Sequence, residues 1–310
     1  MEVTVRYRLL TLASSLALVA LACNVVLPPT PTSQPAPVAV PTATPVPPTP
    51  IPTDPPAPTA TVESAAPAPT AAPSRSPGAA CEVPDVTFQG VSFCYDPDLA
   101  TGVSTELLPP EELGMVPGAG WAFPERIHIE LQGYPQAGLY DKPRIEVYPI
   151  EPLEALSPNA AELIAELRSI LRDRPDPDTL ASIPVLPPVC AAQVFHARTA
   201  YLALPDDGTA IRFLTTYAQD TTPIINETLT YSVQGISGDG RHYISISMPV
   251  AHSDLRQSWS DFTAEEHAQL SEDYGAYLDD VVTRLEAGPS SVLTPDLALL
   301  DALVQSLRVQ

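Results

Sequence analysis

The chain has 310 residues, 39 of them proline, with 37 acidic side chains against 15 basic ones and a formal net charge of −22. A surface this acidic repels phosphate backbones and anionic headgroups, which argues against nucleic acid as a partner and leaves membrane attachment to a covalent group. Nearly half of the prolines crowd between Pro28 and Pro77, so the folded body is about 230 residues, at the upper end of a single domain.

Arg6 and Arg8 precede an apolar run of 14 residues, Leu9 to Ala22, that closes on Ala20-Leu21-Ala22-Cys23. The run is shorter than the roughly 20 residues a membrane-spanning helix needs and fits the core of a signal peptide. A cysteine directly at its end marks a lipobox, although leucine is commoner than Ala20 at the third position before the cysteine. Residues 1–22 are therefore expected to be removed and Cys23 to carry a diacylglycerol and an acyl chain such as palmitate. Each buried methylene contributes about 0.8 kcal/mol to the hold on the bilayer. The expected address is the cell membrane, lipid-anchored, facing the extracytoplasmic side.

Residues 23–80 are rich in Pro, Thr, Ala and Val, as in Thr44 to Pro50 (TPVPPTP), with almost no charge. Proline lacks the donor that ladders and helix interiors need. The stretch reads as a disordered, extended tether with a reach of at most roughly 170 Å at ~3.1 Å per residue.

Residues 81–310 read as one folded α+β domain. Val86 to Tyr95 (VTFQGVSFCY), Arg126 to Gln132 and Arg144 to Tyr148 predict strands, from β-branched and aromatic residues and strict alternation. A helix follows, capped either by Ser157 with Pro158 in the first position or by Asn159 with Glu162, and ended by Pro175 and Pro177. Four strands in a meander come next: Gln193 to Leu204, Thr209 to Tyr217, Glu227 to Gln234 and His242 to Met248. The turns Pro205-Asp206-Asp207-Gly208 and Ser237-Gly238-Asp239-Gly240 join two of the pairs. Alternation in these strands predicts one buried face. A helix from Thr263 to Gly288, with Leu270, Tyr274, Leu278, Val281 and Leu285 inward, and a last helix from Thr294 would cover it, giving an antiparallel sheet packed against helices.

The blocks Ala191 to Ala197 (AAQVFHA), Tyr217 to Asp220 (YAQD), Gln234-Gly235, Asp239-Gly240-Arg241 and Leu299 to Val309 (LLDALVQSLRV) resemble a group of uncharacterised bacterial lipoproteins over nearly all of residues 81–310. The resemblance implies one exported domain and supplies no chemistry. Strands followed by a closing helix that ends in Ser-Leu-Arg-Val also resemble the PsbP-type α/β sandwich.

Cys81, Cys94 and Cys190 remain for an intramolecular disulfide in an oxidising compartment. Cys81 with Cys94 closes the shortest loop; Cys94 with Cys190 is the alternative, both lying on or beside strands. The five histidines, His128, His196, His242, His252 and His267, stand singly, without zinc spacing. Asp173, Asp176 and Asp178 are interrupted by prolines and lack calcium-loop spacing. Ser237 lies in a turn between strands rather than on a nucleophile elbow. No cofactor is expected, and catalytic, cofactor and metal residues are left unassigned. The pattern favours a non-enzymatic module that binds an envelope protein or ligand or takes part in envelope assembly; the alternative is an exported hydrolase whose groups converge only in three dimensions. The expected platform is the sheet face opposite the helices or its edge, with His196, Arg198, Arg212 and Arg241 as candidate contacts.

Overall fold

Alternation and turn chemistry organise the domain around one antiparallel sheet. The computed structural model describes residues 70–71, 82–112, 122–139 and 142–310. The strands are β1 (Thr70–Ala71), β2 (Val86–Phe88), β3 (Val91–Phe93), β4 (Gly102–Leu108), β5 (Glu111–Glu112), β6 (Ala122–Phe123), β7 (Arg126–Gln132), β8 (Arg144–Pro149), β9 (Ala192–Gln193), β10 (Ala197–Ala203), β11 (Thr209–Thr215), β12 (Tyr217–Ala218), β13 (Thr230–Ile236), β14 (His242–Pro249), β15 (Ala251–His252), β16 (Leu293–Thr294) and β17 (Arg308–Val309). The helices are α1 (Ile150–Leu156), α2 (Pro158–Asp173), α3 (Ala264–Glu272), α4 (Tyr274–Glu286) and α5 (Leu297–Ser306). The main sheet runs β1-β4-β7-β8-β14-β13-β11-β10, every pair antiparallel. The mixed α+β class follows directly. The strand β1 comes from residues whose composition belongs with the proline-rich stretch of the sequence.

Both faces of this sheet are buried over its centre, which corrects the expectation of a single buried face. On the first face Ile129, Leu131, Ile145, Val147, Tyr231, Val233, Ile244 and Ile246 pack with Val281, Leu285, Leu300, Leu303, Val304 and Leu307 of α4 and α5. On the second face Tyr148, Ile211, Phe213, Ile236 and Tyr243 meet Leu153, Ile164, Leu167 and Ile170 of α1 and α2. Every residue of β13 is buried. The sheet is thus the middle of three layers.

Local chemistry decides the element ends. Ser157 caps α2, its hydroxyl accepting from the Ala160 amide at 3.4 Å, with Pro158 at the first position. A capping box of Thr263 and Glu266 opens α3. The single helix expected from Thr263 to Gly288 is two, because Asp273 leaves helical geometry (φ −144°) and caps α4 through Ala276. None of the α3 residues is buried, so Leu270 does not enter the core, and Val281 and Leu285 are the buried residues of α4. VTFQGVSFCY is a hairpin rather than one strand: Gln89 and Gly90 both take positive φ, and β2 folds back on β3.

Two turns meet at one end of the strands of the main sheet. Asp206 and Asp207 adopt positive φ in the β10–β11 turn, and Gly238 in the β13–β14 turn lies against them. A Cβ on Gly238 would fall 1.6 Å from the Asp206 carbonyl oxygen, a clash that only backbone movement relieves. Gly238→Ala is expected to cost about 1–3 kcal/mol, lowering Tm by several degrees. An unchanged melt would show that the turns do not need this close approach.

Candidate functional site

The four residues expected to make contacts do not form one surface. Arg212 points to the first face and is buried; its Nε and Nη2 donate to Asp301 Oδ1 and Oδ2 of α5 at 3.1 and 2.9 Å, and its Nη1 donates to the Arg198 carbonyl. The Tyr231 hydroxyl donates to the same carboxylate at 2.9 Å. Burial, with the Asp301 charge beside it, pushes the Tyr231 hydroxyl well above its ordinary range, so it stays a donor. Arg198 sits at a bulge in β10 with positive φ. That turns its guanidinium onto the last carbonyls of α4, donating to Leu285 at 2.6 Å, to Gly288 at 2.9 Å and to Ala287. Both arginines therefore hold the sheet to the C-terminal helices.

His196 bridges Thr199 at 3.1 Å and the Leu180 carbonyl at 3.0 Å, pinning the segment that covers the second face. Arg241 is exposed and pairs with Asp239 at 2.6 Å within its own turn. It borders an open cleft of about 430 Å³ that also takes in Ile150, Glu151, Arg168 and His242. Arg168 there is already paired with Glu154 at 3.0 Å.

The other sequence candidates are spent locally as well. The Ser237 hydroxyl donates to Asp239 at 2.6 Å and accepts from the His242 amide at 3.0 Å. Asp176 accepts from the Asp178 amide, while Asp173 pairs with Arg172 at 2.9 Å. His267 stacks on Trp259. Buried His252 accepts the Asp254 amide on Nδ1, and burial holds it below the usual histidine range, so it is neutral. Among the described residues no group of three or more His, Cys, Asp or Glu could hold a metal ion. Cys94 is disulfide-bonded and Cys190 is free and exposed, which removes the Cys94–Cys190 pairing. Cys23 and Cys81 lie outside the described residues.

The site that sequence reading missed lies on the second face, beyond the helices. Strand registers set side by side Glu106, His128, Glu146, Ser245 and Gln234 in one row and Ser104, Glu130, Arg144, Ser247 and Ser232 in the next. Ser104 and Glu106 are exposed, His128, Glu130, Arg144 and Ser247 are half-buried, and the rows run inward to buried Glu146, Ser245 and Gln234. The signal in the sequence is the polar alternation of Arg126-His128-Glu130-Gln132 and Arg144-Glu146, which reads equally well as an ordinary solvated face.

Glu146, 6 % exposed, anchors this surface. Its carboxylate accepts from the Tyr148 hydroxyl at 3.0 Å and has His128 Nδ1 at 3.5 Å and Arg126 Nε and Arg144 Nε at 3.6 Å. Burial pushes the carboxyl up, but His128, Arg144 and Tyr148 together outweigh it and hold it below the usual carboxylate range. Arg126, itself buried, donates to Glu111 at 2.8 Å and lies over the Phe123 and Tyr148 rings. Its Nε and Nη1 and the His128 Nδ1 are buried without hydrogen-bond partners. An ionised carboxylate flanked by two guanidinium groups is a poor proton acceptor near neutral pH, so this arrangement presents fixed charge rather than moving protons. Beside it the Gln234 carboxamide is fully used, accepting from the Leu186 amide and the Tyr243 hydroxyl and donating to Ser232 and Ser245.

No family model, curated protein or solved structure matches the chain.

The Arg212–Asp301 pair carries a sharp expectation. Asp301→Ala strands a buried guanidinium and should cost about 3–5 kcal/mol, read as a lowered denaturation midpoint at unchanged m-value. Arg212→Met with Asp301→Leu should recover most of that loss. A near-neutral Asp301→Ala would mean that the pair contributes nothing.

Proposed function

We propose that the chain is a lipid-anchored extracytoplasmic module that works by binding a partner or ligand of the cell envelope rather than by turnover, on a PsbP-like sandwich. The observation that carries the reading is the polar surface of β4, β7, β8 and β14. It is open at Ser104 and Glu106 and rooted in a Glu146 carboxylate kept charged by its neighbours. A surface of fixed, prearranged charge favours recognition of a complementary surface, because few groups have to be ordered or reprotonated on contact.

The anchor half of the proposal rests on the sequence: Arg6 and Arg8, the apolar run to Ala22, and the cysteine that follows. A cleaved signal and a lipid on Cys23 would place the domain outside the cytoplasmic membrane at the end of a proline-rich tether. Cys23→Ser should leave the protein exported yet shift it from the detergent phase to the aqueous phase in phase partitioning. Retention in the detergent phase with no lipid on the chain would overturn the anchor.

For the binding surface, Ser104→Arg with Ser247→Arg adds bulk and charge on the open rows without touching Glu146, Arg126 or Gln234. Envelope cross-linking with the full chain should recover a specific partner that this double variant loses by tenfold or more while its melt stays unchanged. A matched change on the exposed face of α2, Arg172→Glu, should leave capture intact. Hydrolysis of an ester, glycan or peptide panel, abolished by one side-chain change that preserves folding, would overturn binding in favour of catalysis.

A further inference from the structure

The segment after β14 is held to the body of the domain around one buried histidine. His252 of β15 is 1 % exposed and pairs with Leu293 of β16. Buried Asn226 ties its backbone on both sides. Asn226 Oδ1 accepts from the His252 amide at 2.8 Å, and Nδ2 donates to the His252 and Leu255 carbonyls at 3.3 and 3.1 Å. The ties continue as far as Gln257. The Ser253 amide donates to the Val292 carbonyl at 3.1 Å, and the Asn226 and Glu227 amides donate to the Arg256 and Gln257 carbonyls at 2.9 and 3.1 Å. Arg284 Nη1 donates to the Asp254 carbonyl at 3.1 Å, and Leu255 enters the core. Beyond this turn α3 buries no residue, so the turn and the pair of Arg256 with Glu266 at 2.9 Å locate it on this side.

The His252 ring closes the turn in one protonation state only. Its Nδ1 accepts the Asp254 amide at 3.2 Å, which requires a lone pair there, so the neutral ring carries its proton on Nε2. Nε2 is itself buried without a hydrogen-bond partner. A second proton would have to enter at Nδ1, facing the Asp254 N–H. The bond would become a contact of two donors, and the new charge would have neither water nor an acceptor.

The charged groups acting on the ring are Asp254 of its own turn, Arg198 of β10 and Arg284 of α4. Two further acids belong to this neighbourhood: Asp280 pairs with Arg284 at 3.1 Å, and Glu286 accepts from the Arg198 amide. Leu293 and Asn226, which meet His252 from β16 and from the connection into β13, are uncharged. Burial, with the two arginines, outweighs Asp254 and holds the ring below the usual histidine range.

We propose that His252 is an acid-sensitive latch, whose protonation opens the turn from His252 to Gln257 and frees α3 while the main sheet stays folded. In the open turn the ring meets water and titrates as an ordinary histidine, at about pH 6.5, whereas the closed turn takes up the proton only at lower pH. The latch is therefore fully stable above that value and weakens as the pH falls through it. The segment it releases carries exposed Trp259 and the His267 ring stacked on it, so acidity changes the surface that this side offers.

Amide exchange on the full chain, corrected for the intrinsic rate at each pH, tests this, with Ile129 and Ile145 as references for an intact sheet. Between pH 7.5 and pH 5 the protection of the Ser253, Asn226 and Glu227 amides should fall by roughly ten- to thirtyfold, while that of Ile129 and Ile145 stays level. His252→Asn keeps a side-chain acceptor for the Asp254 amide, as in an Asx turn, and takes up no proton; its protection should fall less than about twofold over the same range. The other four histidines remain in that variant, so a fall that survives it would overturn the proposal. Constant protection in the parent chain, or a fall shared by Ile129 and Ile145, would do the same. If the variant does not fold, the ring nitrogen shifts of the parent chain decide: the Nε2–H tautomer persisting wherever Ser253 is protected supports the latch, and a cationic His252 in a still-protected turn overturns it.

Discussion

The structure depends on one constraint: the centre of the sheet is closed to water on both sides, so a polar side chain that points into either layer is stable there only where a partner meets it. Leaving a buried polar group unmet costs about 1–3 kcal/mol, and more for a charge. Three networks meet most of the demand, while Arg126 Nε and Nη1 and His128 Nδ1 beside Glu146 go without a hydrogen bond. Arg212 on the first face finds Asp301 and the Arg198 carbonyl. Gln234 on the second face spends its carboxamide on Leu186, Tyr243, Ser232 and Ser245. Glu146, further along that face, is held by Tyr148 with the Arg126 and Arg144 guanidinium groups and the His128 ring around it.

These networks also settle how the layers dock. A helix that covers an apolar sheet face can slide by a turn with little loss of buried area, because apolar contacts are not directional. The forked donation of Arg212 to Asp301 has a direction, and it ties α5 to β11 at one register. Arg198, turned out of β10 by its bulge, performs the same task for the end of α4. On the opposite side His196 and Gln234 hold Leu180 and Leu186 of the segment after α2. Three residues that look like free recognition groups in the sequence, His196, Arg198 and Arg212, are clamps between layers.

That inversion explains what the sequence could and could not disclose. The strand Arg126–Gln132 was legible because apolar Ile127, Ile129 and Leu131 alternate strictly with polar residues. The cap at Ser157-Pro158 was legible because it is a contact between neighbours. The hairpin at Gln89-Gly90 was missed because flanking β-branched and aromatic residues hid a two-residue turn. The break at Asp273 was missed because the apolar period runs through it. Helix α1 was missed because seven residues containing Pro152 carry little helical signal. The pairing of Arg212 with Asp301 joins positions 89 apart in the chain. The only trace it leaves is one charge in each of two otherwise apolar runs, TAIRFLT and LALLDALV. The polar rows around Glu146 did not stand out because alternation alone cannot tell a solvated face from a charged recess.

The extent of that open surface follows from the dimensions of the layers. A helix with its side chains is about 10–12 Å across, and neighbouring strands lie about 4.8 Å apart, so one helix roofs roughly two strands. On the second face α2 lies over β11 and β13, and α1 lies beside β8. Two helices therefore reach about halfway across a sheet of eight strands. Beyond them the side chains at alternate positions of β7 and β4 must be tolerant of water, and they include His128, Glu130 and Gln132, then Ser104 and Glu106. The first face does not run out in this way, because β2, β3 and β17 form a small sheet of their own that adds Val86, Val91 and Phe93 to the layer under α5. The open polar rows thus lie where one layer ends short of the sheet it covers, and they border the β4 edge. A partner reaching for Glu106 and His128 would meet that edge as well, so the state of the edge and the accessibility of the rows are physically coupled.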